Sequence, residues 1–141
     1  MKRKTPFVFA VTFLVLISGK GFTQTDSVAV DSIDLALQQC REVNITTHGL
    51  IACMDEAAAA WDKELNKIYQ QLMKTLSVEQ QELLRVSQRA WIEYRDKEMA
   101  FVYRFYDDPG LSWDYVKRGR EMELTRARVL ELRSYCGSCN F

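Results

Sequence analysis

The first strongly apolar run, Phe7 to Ile17, is broken only by Thr12 and is preceded by Lys2, Arg3 and Lys4. As a helix, eleven such residues reach only about 16 Å at ~1.5 Å per residue, roughly half of a ~30 Å bilayer core. The small and polar stretch Ser18-Gly19-Lys20-Gly21 follows. Basic, apolar and small-polar regions in that order predict a cleavable secretory leader over residues 1–24, cut after Gly21 or Gln24. A buried N-terminal helix is the competing reading, and the lack of flanking amphipathic sequence weighs against it. No cysteine lies near the cleavage region, so a lipid anchor is not indicated.

Residues 25–31 are polar and read as a leader to the folded part. From Ser32 to Cys40, Ile33, Leu35 and Leu37 suggest a short helix, and 25–39 form one segment with the leader. Arg41 to Gly49, with Asn44, Thr46, Thr47 and Gly49, argue for a loop. Asn44-Ile45-Thr46 also matches the N-glycosylation pattern, a triplet short enough to arise by accident. From about Asp55 the spacing becomes helical: Ala58, Trp61, Leu65, Ile68 or Tyr69, Leu72 and Leu76 recur at intervals of three and four. Ala57 to Ala60 add helix propensity. Ser77-Val78-Glu79-Gln80 has the form of a capping box and predicts a second long helix. Its apolar face is expected along Leu84, Ser87, Trp91, Tyr94, Phe101 and Phe105, and Asp107-Asp108-Pro109-Gly110 stops it. Ser112 can cap a further helix that buries Trp113, Val116, Met122, Val129 and Leu132. No stretch alternates with period two for long enough to make a strand. The pattern predicts an all-α fold, a small antiparallel bundle of a short N-terminal helix, two long helices and a C-terminal one.

Charge changes the picture once the leader is removed. The whole chain has 19 basic and 19 acidic residues. Lys2, Arg3, Lys4 and Lys20 leave with the leader, so 19 acidic residues then face 15 basic ones, a net charge of −4. Nucleic acid is therefore a poor candidate partner; a cationic partner is favoured, and ordinary solubility accounts for the same charge. All four cysteines, Cys40, Cys53, Cys136 and Cys139, lie beyond the leader, and an even count in an exported chain reads as two disulfides. Three connectivities remain open, with the sequence-local pairs Cys40–Cys53 and Cys136–Cys139 preferred.

Candidate chemistry is sparse. One histidine, His48, gives neither a zinc set nor a cysteine–histidine pair. No glycine-rich phosphate loop is present, no cofactor is indicated, and no acid–base pair can be placed in a pocket. The chain does not read as an enzyme. Cys136-Gly137-Ser138-Cys139 has redox-motif spacing, but it follows a helix C-terminus, where the dipole disfavours a thiolate; a structural clip is the better reading. The densest polar pattern lies on the two long helices. Asp62 and Asn66 share a face with Tyr69 a turn further on, and Gln88, Trp91, Tyr94, Arg95 and Asp96 cluster on the next helix. Arg95 can hold a carboxylate bidentately, with Asp62 its natural partner on the facing helix. Such a seam serves either as a register-fixing network within the bundle or as a binding surface, since Trp, Tyr and Arg are the usual interface anchors.

These residues carry a resemblance. The family pattern has a cysteine, T-x-x-E-x-x-x-C, D-x-x-L-N-x-x-Y, Q-R-A-W-x-x-Y-R-D-x-x-C, and a cysteine five residues before T-x-x-R. Here it reads Cys40, Thr46 to Cys53, Asp62 to Tyr69, Gln88 to Asp96, and Thr125 to Arg128. The chain resembles the LprI-type lysozyme inhibitors, exported bacterial proteins with a helical domain, and the match assigns residues 40–141 to that domain. The resemblance implies Cys40–Cys53 as a bridge and a lysozyme-like muramidase as the partner, met in the periplasm or outside the cell. It departs at Gly49, where the family has glutamate. It departs again at Met99 and Arg120, which stand where a second cysteine pair is usual.

Overall fold

In a computed structural model, residues 31–107 and 113–136 are described. They form four helices: α1 Ser32–Val43, α2 Thr47–Thr75, α3 Val78–Phe105 and α4 Asp114–Ser134. The expected all-helical antiparallel bundle is present, with no strand among the described residues. The leader expected over residues 1–24 and residues 25–30 after it lie outside them. No helix among the described residues is long and apolar enough to cross a membrane.

The α1–α2 connection is shorter than the loop expected from Arg41 to Gly49. Only residues 44–46 remain outside helices, and α2 begins at Thr47 instead of near Asp55. Asn, Thr and Gly argue locally against helix, yet here Asn44 and Thr46 serve as caps. Thr46 Oγ1 accepts from the Gly49 amide at 3.1 Å, and Asn44 Nδ2 donates to the Cys40 carbonyl at 2.9 Å. The turn is so tight that a Cβ at Gly49 would lie 2.9 Å from Asn44 Cβ. A larger side chain cannot enter without a shift of the turn around Asn44. The Cys40–Cys53 disulfide, with 5.8 Å between its Cα atoms, ties α1 to the first turns of α2. Cys136 is also disulfide-bonded; its expected partner, Cys139, lies outside the described residues.

The core sits between α1, α2 and α4. From α2, Trp61, Leu65, Ile68 and Leu72 are buried, as their spacing predicts. They meet Met122, Val129 and Leu132 of α4 and Leu37 of α1. Each such aliphatic or aromatic burial is worth about 1.5–3 kcal/mol. The capping box that opens α3 is formed in full by Ser77 and Gln80. By contrast, α4 starts at Asp114 with no side-chain cap at Trp113, and the expected cap, Ser112, is not among the described residues.

Helix α3 is seated differently from the expectation. Met99 and Val102 are its buried residues, packed on Leu124 of α4, while Leu84 and Trp91 are half-buried. Ser87, Tyr94, Phe101 and Phe105 are exposed, although Ser87 still faces α4 and accepts from Arg128. The aromatic spacing misplaces the buried face because α3 has apolar residues all round its circumference. Contact with α4 decides which side docks. Near Met99, Arg120 donates to Glu98 at 2.8 Å, so an ion pair and an apolar contact join α3 to α4 where the family pattern has cysteines.

Arginines of α4 complete the scaffold. Arg126 grips Asp34 of α1 through three contacts of 2.8–3.0 Å. Arg133 reaches Glu64 at 2.9 Å and also bonds Asp31, the N-cap of α1. Both guanidinium groups lie over the Trp61 ring, 5.7 and 5.6 Å from its centre. Trp61 is fully buried.

Two outcomes are expected. Replacing Cys40 and Cys53 together by serine should lower the urea unfolding free energy by about 3 kcal/mol, the value for a loop of this length. Burial raises the Asp31 carboxyl, but the bonds from Arg133 and the Ile33 amide, with the Arg133 and Arg126 charges, outweigh it and hold the group below its ordinary value. A depressed carboxyl contributes stability above its unfolded pKa of about 4 and loses it as pH falls through the folded value. Urea titrations between about pH 6 and pH 3 should therefore show a shallower loss for Asp31→Asn than for the unaltered protein.

Candidate functional site

Helices α2 and α3 follow one another along the chain but do not close on each other. Between them lies a groove of about 420 Å³. Its α2 wall is formed by Asp62, Leu65, Asn66 and Tyr69, and its α3 wall by Arg85, Gln88, Arg89, Trp91, Ile92 and Arg95. Helical spacing explains the clustering, since residues three and four apart stand above one another on one face. Large polar side chains on the inner face of α3, where a tighter bundle would place leucines, leave the groove open.

Six of the eight residues expected to form a polar seam line this groove: Asp62, Asn66, Tyr69, Gln88, Trp91 and Arg95. Tyr94 is half exposed on another side of α3, and Asp96 is exposed just beyond Arg95. The expected Arg95–Asp62 pair is not made. Arg95 instead bonds its sequence neighbour Asp96, at 3.1 and 2.9 Å, and its guanidinium lies 5.3 Å from the centre of the Trp91 ring. The adjacent carboxylate and the same-face tryptophan hold it on α3, so it does not cross to α2. Asp62 accepts only from Asn66 Nδ2, at 3.4 Å, and forms no ion pair among the described residues. Arg85 and Arg89 share one carboxylate, Glu82, at 3.1 and 3.4 Å.

Residues not anticipated support the groove from behind. Arg128 of α4 is buried and donates to Gln88 Oε1 at 2.6 Å, Ser87 Oγ at 2.9 Å and Glu131 at 2.6 Å. Gln88 thus has its carbonyl committed to the scaffold. The signal was available in the threonine–arginine block of α4, whose Thr125 and Arg128 sit at core spacing, but a charged residue is not read as core without its partners in view.

His48 falls in the first turn of α2, not in a loop. It lines a shallow depression with Tyr103, Asp114, Lys117 and Arg118. No set of three or more metal-binding side chains occurs among the described residues.

A family model described as lysozyme inhibitor LprI matches residues 40–132. The uncharacterized protein YecT of Escherichia coli K12 is 30% identical over 125 residues, covering 77% of this chain and 76% of that protein. The crystal structure of an uncharacterized protein from Burkholderia thailandensis is similar with a TM-score of 0.67 at 32% identity. That match covers 74% of this chain and 53% of the other, so the chain spans about half the length of that structure.

Arg128→Ala should lower the unfolding free energy by about 2 kcal/mol, because three hydrogen bonds of a charged donor are lost together. Arg128→Met should cost less, since it keeps the packing stem and removes a buried charge. Urea unfolding of both variants separates packing from hydrogen bonding.

Proposed function

The chain belongs to the LprI lysozyme inhibitor family, and from that premise we propose that it is an exported binding protein that inhibits a lysozyme-like muramidase by covering its cleft. The observation that carries this reading is the family match over residues 40–132. Three features support it. The leader pattern of residues 1–24 directs the chain to the periplasm or beyond the cell. A disulfide persists where the surroundings are oxidising. After loss of the leader the net charge is negative, which favours approach to a cationic enzyme.

Inhibition of this kind acts by contact, without catalysis. A muramidase works with two carboxylates across a cleft, and a stable body seated over that cleft excludes substrate. A scaffold braced by a disulfide and by cross-helix arginine pairs suits the task, because little ordering remains to be done on binding.

A second reading is favoured by one observation. Phe101, Phe105, Tyr106 and Trp113 form a chain of ring contacts at 5.6, 5.0 and 4.9 Å, with Phe101 and Phe105 largely exposed. Such a surface would also serve a helical module that binds another envelope component or a second copy of itself.

Purified mature protein, oxidised, should slow lysozyme clearing of a bacterial suspension in a turbidity assay, with inhibition saturating as inhibitor exceeds enzyme. Unchanged clearing at a large molar excess, across several lysozyme types, would reject inhibition. Recovery of a different envelope protein on the immobilised chain, without inhibition, would favour the second reading.

A further inference from the structure

The α2–α3 groove separates two charges that ordinarily would have met. On the α2 wall, the Asp62 carboxylate has no cationic partner among the described residues. On the α3 wall stand three guanidinium groups with two carboxylates beside them, Glu82 shared by Arg85 and Arg89, and Asp96 taken by Arg95. One positive charge is left over on one side, and one negative charge on the other. Between them lie the apolar surfaces of Leu65, Trp91 and Ile92.

From this polarity we infer that the groove is a binding site for a short zwitterionic peptide. Its ammonium group meets Asp62, with the side-chain oxygens of Asn66 and Tyr69 nearby as further acceptors. Its carboxylate meets the guanidinium forks of α3, which suit carboxylate geometry. The exposed Arg–Glu82 and Arg95–Asp96 pairs are surface ion pairs of small individual worth, so a ligand carboxylate can compete for those donors. Its side chains cover Leu65, Trp91 and Ile92. A volume of about 420 Å³ falls within the usual ~300–1,000 Å³ of small-molecule sites. A neutral sugar would leave both surplus charges unanswered, and a polyanion would meet Asp62, Glu82 and Asp96. This site is independent of lysozyme inhibition; either property can hold without the other.

The test uses the mature, oxidised chain and three probes: tri-leucine, its N-acetyl form and its C-terminal amide. Binding is followed by the indole N–H resonance of Trp91 and by calorimetry. The free tripeptide should shift that resonance and saturate, and blocking either end should weaken binding about tenfold, the loss of one charge-assisted contact. Asp62→Asn should bind the free and acetylated peptides equally, and Arg89→Gln should reduce the penalty of amidation. Both residues are exposed, and circular dichroism verifies that the variants remain folded. Equal affinity for all three probes, or no Trp91 shift at millimolar peptide, overturns the inference. So does a chitotriose titration that shifts Trp91 where the tripeptide does not.

Discussion

The bundle is organised around one tryptophan and the arginines laid across it. Trp61 lies in the middle of α2 with no accessible surface, and its indole N–H has no acceptor among the described residues. Its contribution therefore comes from ring packing and from the cations over it. Arg126 and Arg133 approach it from α4 and extend onward to Asp34, Glu64 and Asp31. A guanidinium is weakly hydrated, planar and able to stack and fork at once, so it can lie on a ring while holding a carboxylate. That combination lets α4, a helix of low apolar content, cover the core. It also fixes α1, whose N-cap and first turn provide two of the three acids.

This bracing is uneven. Helices α1, α2 and α4 share a contiguous core, a disulfide and the arginine pairs, whereas α3 is attached through Met99, Val102, the Arg120–Glu98 pair and the Arg128–Gln88 bond. Fewer buried apolar contacts mean a smaller free energy for local opening. The same sparse seating leaves a groove on one side of α3 and exposed apolar residues, such as Leu83, Val86 and Phe101, on another. Stability is concentrated in the three-helix core, and the surfaces available for recognition are concentrated on α3.

A scaffold of this kind suits action by contact. The family's two most specific blocks, Asp62 to Tyr69 and Gln88 to Asp96, stand on facing helices and supply nearly all of the groove lining. Their polar members are spent less on the core than on its border. Arg128 ties the groove's Gln88 to α4, so a buried cation positions a groove residue without itself lining the groove. Lysozyme inhibition and peptide capture would draw on this border in different ways, and neither calls for a metal or a reactive side chain.

Much of the fold was legible in residue spacing alone. Trp61, Leu65, Ile68 and Leu72 repeat at three and four on a sequence with strong helix formers, so one face had to be buried whatever covered it. The Ser77–Gln80 box fixed the start of α3 by local hydrogen bonding. The cysteine pair was narrowed to Cys40–Cys53 by family resemblance, and proximity in the structure bears it out. What spacing could not supply was the choice among competing partners. Phe101 and Phe105 are as apolar as any core residue, yet α4 packs on Met99 and Val102 and leaves both rings largely in solvent. Arg95 had Asp62 within its expected reach along the sequence pattern, but Asp96 and Trp91 lay on its own helix and held it there. Periodicity decides which residues share a face, because that is a property of one helix. Which face is covered, and which charge finds which partner, depends on the relative placement of several helices and is settled only when they pack.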